Sequence, residues 1–481
     1  MGCLLRLYYY GTGRSLWFDE ALLALNLVKR SFLDLLKPLD NNQGAPIGFL
    51  ILQKVVISLL GNRDYVLRLI PLLAGLVSVP LMYLVAKQYG GQFYSLVALG
   101  LFAVSPRVIY YSSELKQYST DVLVALLLLF VVPRCLDDKP KPHAFLALGI
   151  AGSLAIWLSH PSLFLLAGII LALGSAFAVR TDSHRLFLLI GLGAAWAINL
   201  GLVYFVNLRN LGSNNGLLGY WSGSFAPVPP WSDFRWYYQA LLDMLKDPAT
   251  LPVNALTAGS LILGVFSLAY RKWELMLVLV APFLLTLIAS ALRRYPFSGR
   301  LLLFLVPLLL LLLAEGVQRV WMVLRRVNKP IAGLVTASLI AYFLYGPMAT
   351  AFKDLQSPPL GEHIKPVMSY ISENRLSGDL IYLYYAAEPA FRFYAPLYGF
   401  DRGDHVVGIT SRRAPDRYLD DIEKKVKGSE RIWFVFTHNC SWCMVNEQDF
   451  LLQHLDAIGQ KRNELTSYGA SVFLYDLGQG R

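Results

Sequence analysis

Three short stretches of this 481-residue chain gather ionisable side chains in otherwise apolar surroundings. The first is Leu16-Trp17-Phe18-Asp19-Glu20-Ala21. Ser15 is placed to cap a helix over residues 17–29. Adjacent helical residues point about 100° apart, so Asp19 and Glu20 cannot both aim at one atom. One is expected to face a site as an acid or base, and the other to support it or meet water. Two acids here also suit the dipole of a helix N-terminus.

The second stretch is Ser112-Ser113-Glu114-Leu115-Lys116-Gln117-Tyr118-Ser119-Thr120-Asp121. A serine cap is expected to begin the next apolar helix. Glu114, Gln117, Tyr118 and Asp121 then fall at i, i+3, i+4 and i+7, a polar stripe on a greasy helix. An ionised acid inside a membrane span costs about 2.5–3.5 kcal/mol on insertion scales, so such groups face a cavity or a partner. A hydrogen-bonded knot between helices is the alternative. The third stretch is Arg293-Arg294-Tyr295-Pro296-Phe297-Ser298-Gly299-Arg300, before a Leu-rich run. Guanidinium groups bind phosphate bidentately, although arginines also snorkel to ordinary lipid head groups. Lys54, Arg63 and Arg68 could contact lipid phosphate in the same way. His160, in Ser-His-Pro-Ser, could bind a ligand or serve structure. Tyr220, Trp221, Trp231, Trp236, Tyr237 and Tyr238 could stack on sugar rings or form an interfacial aromatic belt.

The elements that must position these groups are membrane helices. The chain is 56% hydrophobic and only 16% charged, with a mean hydropathy of +0.48. That excludes disorder, a coiled coil and an ordinary soluble enzyme. Residues 1–350 hold 28 Lys/Arg against 15 Asp/Glu, and the remainder 15 against 17. The basic excess thus belongs to the apolar part, where it reads as membrane orientation rather than nucleic-acid binding. Apolar runs long enough to span lie near 64–86, 92–108, 117–134, 143–158, 162–179, 186–207, 254–270, 273–291, 300–318 and 331–350. Alternate connectors are basic, carrying Lys87, Arg134, Lys139, Lys141, Arg180, Arg185, Arg271, Lys272, Arg319, Arg325, Arg326 and Lys329, and are expected in the cytoplasm. Outer loops are then 11–63, 109–116, 208–253 and 292–299, with a short turn around His160. Residues 1–10 resemble the outer end of a span whose beginning is missing. Residues 46–60 suit an interfacial helix.

Beyond residue 350, apolar strands (380–385, 432–436 and 471–475) alternate with amphipathic stretches (362–375, 416–427 and 446–458). This predicts a small extracytoplasmic α/β domain over residues 351–481. Cys3 and Cys135 sit at segment ends. Cys440 and Cys443, near His438, suit a local disulfide or two free thiols better than a metal site.

Order and sidedness carry a resemblance. An outer Trp-Phe-Asp-Glu is followed by Ala45-Pro46-Ile47, by Ser-Pro-x-x-Ile-Tyr-Tyr-Ser-x-Glu-Leu-Lys-x-Tyr over residues 105–118, and by Tyr-Pro-Phe-Ser-Gly-Arg before a Leu-rich helix. Together these resemble the GT-C superfamily of integral membrane glycosyltransferases, in the branch related to protein O-mannosyltransferases and aminoarabinose lipid A transferases. The resemblance covers about residues 10–350. It implies an all-α polytopic membrane domain of GT-C type over residues 1–350, with a small C-terminal α/β extramembrane domain. It further implies inverting transfer from a polyprenyl-phosphate sugar donor to a lipid, glycan or protein acceptor outside the cytoplasm, in the cell (inner) membrane. Asp19 matches the family's catalytic acid position, with Glu20 beside it. Glu114 occupies a second acidic or polar position, and Arg300 lies where a basic residue holds the donor phosphate. Relatives carry a basic residue or His where this chain has Ala45.

The resulting expectation is a pocket at the outer lipid boundary. Asp19 takes the acceptor's proton, and Arg300, helped by Lys116 or Arg294, meets the phosphate. Glu114, Gln117 and Tyr118 orient the sugar or acceptor, with Lys54 and His160 as further binding residues. No cofactor is compelled; a divalent cation is left open, with Asp19 and Glu114 as its candidate ligands. The rival is a lipid-linked glycan flippase or transporter, which would place polar residues deep within several spans. Here most spans are apolar through their centres.

Overall fold

Helices are dictated wherever apolar runs outlast a turn or two, because a chain in lipid must satisfy its own backbone hydrogen bonds. The computed structural model describes residues 1–138, 140–209, 214–401, 403–411, 416–438 and 446–477. Lys139, Cys440 and Cys443 lie outside the described residues. The chain divides into two units: Met1–Gly11 with Arg30–Pro358, and Thr12–Lys29 with Pro359–Arg481. The Thr12–Lys29 segment, expected among the outer loops of the membrane part, thus groups with the C-terminal residues.

Among the described residues of the first unit, seven helices are long and apolar enough to cross a membrane: Leu69–Ala103, Tyr118–Leu136, Ser162–Val179, Ser183–Leu208, Ala255–Ala291, Gly299–Leu324 and Lys329–Gln356. Leu69–Ala103 and Ala255–Ala291 are each interrupted by one non-helical residue, Gly91 and Lys272. At Gly91 the chain reverses, with φ at 83° where glycine meets no steric penalty. The Tyr83 hydroxyl donates to Gln92 Oε1 at 3.0 Å across this break. In a straight helix those nine residues would span roughly 13 Å. With these two breaks and the 17-residue Pro142–Leu158 helix, each of the ten expected apolar runs lies largely on helix. The segment read as interfacial is the Ile47–Leu60 helix, and residues 1–10 lie mostly on the Gly2–Gly11 helix.

The Val306–Leu324 helix is central, since every residue from 306 to 318 is buried. Small residues allow a neighbouring helix very close to it. A Cβ on Gly264 would sit 2.0 Å from the Leu312 carbonyl oxygen, and one on Gly316 would sit 1.9 Å from that of Ser260. Such backbone approach is how helices gain packing in lipid. Glu315, fully buried on the same helix, accepts from Ser267 Oγ at 2.6 Å and pairs with Arg271 at 3.2 Å.

The second unit contains a five-stranded sheet: β1 (Leu380–Leu383), β2 (His405–Val407), β3 (Arg431–Thr437), β4 (Gln460–Ser467) and β5 (Ala470–Asp476). The order is β2-β1-β3-β5-β4, with β2, β1 and β3 parallel and the β5 pairings antiparallel. Strand β3 is buried from residue 432 to 437, which accounts for its unbroken apolar run. Helices Ile364–Asn374, Asp416–Val426 and Glu447–Ile458 occupy the three expected amphipathic stretches, and Glu388–Tyr394 adds a fourth.

Candidate active site

Residues 112–121 in the first unit are buried without exception, although all but Leu115 and Tyr118, eight residues, carry polar or charged side chains. Their position is fixed by a close approach. A Cβ on Gly75 would lie 2.4 Å from Ser112 Cβ, so only glycine lets the Leu69–Ala103 helix come this near. Ser119 Oγ also donates to the Pro71 carbonyl at 2.9 Å. Both serines of this stretch, where one serine cap was expected for the following helix, serve the preceding one, Pro106–Tyr111. Ser112 Oγ donates to the Ile109 carbonyl at 2.5 Å, and Ser113 Oγ donates to that of Tyr110 at 3.0 Å. The next helix begins only at Tyr118. Glu114 and Gln117 therefore precede it, and the expected four-residue stripe is reduced to Tyr118 and Asp121. The polar loop is tight because its serines close off one helix instead of opening another.

Around this loop several predicted groups gather. Lys116 Nζ donates to Gln43 Oε1 at 2.8 Å. The Arg300 guanidinium lies 5.7 Å from the centre of the Tyr118 ring, within cation–π range. Tyr111 packs edge-on against Tyr118, their ring centres 5.1 Å apart. Burial pushes the Tyr111 hydroxyl up, the Glu114 carboxylate adds to the shift, and the Arg300 charge opposes it. Glu114 and Arg300 thus act on one phenol. Asp121 lies beside the Ser159 hydroxyl. Buried Gln117 Oε1 has no hydrogen-bond partner among the described residues. Arg294 is exposed, one residue after the left-handed Arg293.

His160 joins a second polar group. Its Nε2 lies 2.8 Å from Asn207 Oδ1, and Asn207 Nδ2 donates to the Ala45 carbonyl at 3.4 Å. Burial lowers the His160 imidazole to about 4, with the Asn207 hydrogen bond opposing. Gln43, Ala45 and Asn207, together with Lys37 and Asn214, line one small open cleft. The partners of Lys116 and His160 therefore share one cavity. Sequence reasoning missed Gln43 and Asn207, because a lone amide carries no pattern until its partner is known. It also missed Arg107, which pairs with Asp247 at 2.6 Å and ties the long 208–253 segment to the Pro106–Tyr111 helix. Lys54 is partly exposed on the Ile47–Leu60 helix, next to the fully buried Gln53.

Asp19 and Glu20 belong to the second unit, on the Phe18–Lys29 helix. Asp19 is partly exposed and Glu20 fully buried, in keeping with their divergent directions. The expected Ser15 cap is replaced. The Phe18 N–H donates to Glu362 Oε2 at 2.9 Å, while Ser15 Oγ lies 3.0 Å from His363 Nδ1 and accepts from the Lys365 N–H at 3.2 Å. A side chain distant in sequence reaches the helix end that a local serine was expected to serve. Among the described residues, no group of three or more His, Cys, Asp or Glu side chains is placed to hold a metal ion.

Residues 44–206, which include the 112–121 loop, match the family model described as dolichyl-phosphate-mannose-protein mannosyltransferase. The whole chain superposes on ArnT from Cupriavidus metallidurans in its apo state, with a TM-score of 0.59 at 12% identity, covering 97% of this chain and 96% of that one. The chain shares this fold, and a third of it matches that family model. Its fold is ArnT-like: an integral membrane helical part and a small C-terminal sheet domain. The chain is equally similar to ArnT bound to undecaprenyl phosphate, at the same TM-score of 0.59 and 12% identity, with coverages of 98% and 97%. It also resembles the apo oligosaccharyltransferase of Archaeoglobus fulgidus, with a TM-score of 0.51 and 13% identity over 99% of this chain and 74% of that one. No curated protein sequence matches it.

Proposed function

We propose that this protein is a membrane glycosyltransferase of GT-C type that moves a sugar from a polyprenyl-phosphate donor to an acceptor on the extracytoplasmic side of the cell (inner) membrane, with inversion. One observation carries the reading: the wholly buried, polar-rich run 112–121 leads into a membrane helix and lies beside Arg300. Burying such groups is costly unless they serve a ligand or one another. The related ArnT was solved bound to undecaprenyl phosphate, and the matched family model names a lipid phosphate sugar. Both support the donor class.

Each residue's role follows from its chemistry. Arg300 takes the donor phosphate, with Lys116 or Arg294 adding charge. The bond from the anomeric carbon to the phosphate oxygen breaks, and its electron pair leaves with the phosphate. The acceptor oxygen bonds to the opposite face of that carbon, through an oxocarbenium-like transition state. Asp19, with Glu20 beside it, has the role of taking the acceptor's proton. Glu114, Gln117 and Tyr118 orient the sugar or acceptor. The cleft lined by Gln43 and Asn207 offers amides to hydroxyl groups, and Lys54 meets lipid phosphate at the interface.

The test is reconstitution. Purified protein in liposomes is given polyprenyl-phosphate sugars and envelope extracts as acceptors. Transfer or donor hydrolysis that disappears in Arg300→Ala supports the reading. Failure to turn over any such donor, with the protein folded, refutes it. Mass spectrometry of envelope glycans and glycolipids in a deletion strain identifies the acceptor.

A further inference from the structure

We infer that the C-terminal part of the chain is a positioning element for Asp19, acting through the Glu362–His438 pair. This rests on the proposed role of Asp19 as proton acceptor, and it adds the device that aims it.

The first N–H groups of any helix lack intrahelical acceptors. Trp17 stands at the N-cap of the Phe18–Lys29 helix, since its carbonyl accepts from the Ala21 N–H at 2.9 Å. An indole has no acceptor to offer, so the helix end needs one from elsewhere. Glu362 supplies it, with Oε2 at 2.9 Å from the Phe18 nitrogen. The other oxygen, Oε1, is 2.5 Å from His438 Nδ1. The His438 ring then stacks on the Phe18 ring, centres 4.9 Å apart and planes 19° off parallel. One carboxylate–imidazole pair thus holds both the backbone and the side chain of the residue immediately before Asp19.

Both partners are themselves set in place. His438 directly follows β3 and has φ at +55°, a region non-glycine residues rarely enter. The Glu362 segment lies against the β4–β5 turn, where a Cβ on Gly469 would meet the Gly361 carbonyl oxygen at 2.6 Å. The His363 N–H donates to the Tyr468 carbonyl at 2.6 Å. Further contacts secure the approach to the helix. The Tyr394 hydroxyl accepts from the Leu16 N–H at 2.8 Å, and Lys365 Nζ donates to the Gly13 carbonyl at 2.5 Å. A path of contacts therefore runs from the sheet to the acid.

The experiment uses the full chain in liposomes and compares Glu362→Ala, Glu362→Gln, His438→Phe and Asp19→Asn. Displacing a reacting group by about 1 Å can cost 10²-fold, so Glu362→Ala should lower kcat about 10–100-fold while donor KM and Tm stay close to wild type. Glu362→Gln, whose amide oxygen still accepts from the Phe18 N–H, should recover most of that loss. His438→Phe keeps the ring stack without Nδ1 and should show an intermediate loss in kcat. Amide exchange of the peptide covering residues 13–25 should accelerate in Glu362→Ala and not in Glu362→Gln. If Asp19→Asn is inactive while Glu362→Ala and His438→Phe both turn over normally, the inference is overturned and the proposed function stands. If Asp19→Asn is itself active, the role of Asp19 falls. Should Glu362→Ala fail to fold, an unchanged kcat in His438→Phe is the result that overturns the inference.

Discussion

The Lys116 ammonium donates to the Gln43 amide oxygen at 2.8 Å, and both side chains are buried. The contact joins the polar loop at the start of a membrane helix to the segment leading into the Ile47–Leu60 helix. Deleting an acceptor from a buried donor costs about 1–3 kcal/mol. Gln43→Leu should therefore lower stability by about that much and weaken donor binding. Adding Lys116→Met should restore stability without restoring activity. Detergent-solubilised melting curves and donor KM in a double-mutant cycle separate the two effects.

Arg300 stands over Tyr118 with a planar, forked cation. Lysine supplies the charge and loses the fork. Arg300→Lys should raise donor KM by about ten-fold, or roughly 1.4 kcal/mol, and Arg300→Ala by more. Titration with a polyprenyl phosphate lacking sugar should show the same ranking, and equal affinity in all three proteins would exclude Arg300 from phosphate binding.

Asp19 is partly exposed while its neighbour Glu20 is fully buried. Asp19→Asn keeps shape and removes basicity, so transfer should fall by about 10²–10⁴-fold with Tm unchanged. Glu20→Gln should instead show its main effect in Tm. A reversal of the two phenotypes would exchange their roles.

The Gly264 and Gly316 contacts leave no room for a side chain. Gly264→Val should destabilise the bundle far more than Gly259→Val, since nothing lies within 4 Å of a Cβ at Gly259. Comparison of detergent melting temperatures checks this.

Burial lowers His160 to about 4, below the unfolded value of about 6.5. Folding thus favours the neutral imidazole. The associated stability is present above about pH 6.5 and is lost as pH falls through 6.5 towards 4. His160→Gln should flatten that loss between pH 7 and 5 while keeping a partner for Asn207. An identical Tm-against-pH curve in the two proteins would contradict it.

Much of the membrane part is legible in sequence, because a span needs only length and apolarity. Strands β1, β3 and β5 are legible for the same reason. Strand β2 has three residues, and β4 reads Gln-Lys-Arg-Asn-Glu-Leu-Thr-Ser and lies largely exposed at the sheet edge. An edge strand defended by charge carries no apolar alternation to detect. At the site, the ionisable residues stand out because charge is scarce in greasy surroundings. Their partners Gln43, Asn207 and Glu362 do not, since each gains its meaning from a contact far away along the chain. Helix starts are misjudged where tertiary structure supplies the cap. Ser15 looks like a cap for the helix beginning at Phe18, yet Glu362 does that work; Ser112 looks like an opening and closes the helix before it.

Thr12–Lys29 leaves the ribosome early, while the strands and loops it packs with are made last. The 344 positions between Phe18 and Glu362 take roughly 20–70 s to synthesise at about 5–20 residues per second. During that interval every membrane helix can be inserted, while the acidic helix waits without its eventual neighbours. Docking of this helix is therefore a late event, and under the proposed function a chain stalled before β3 would be inserted yet inert.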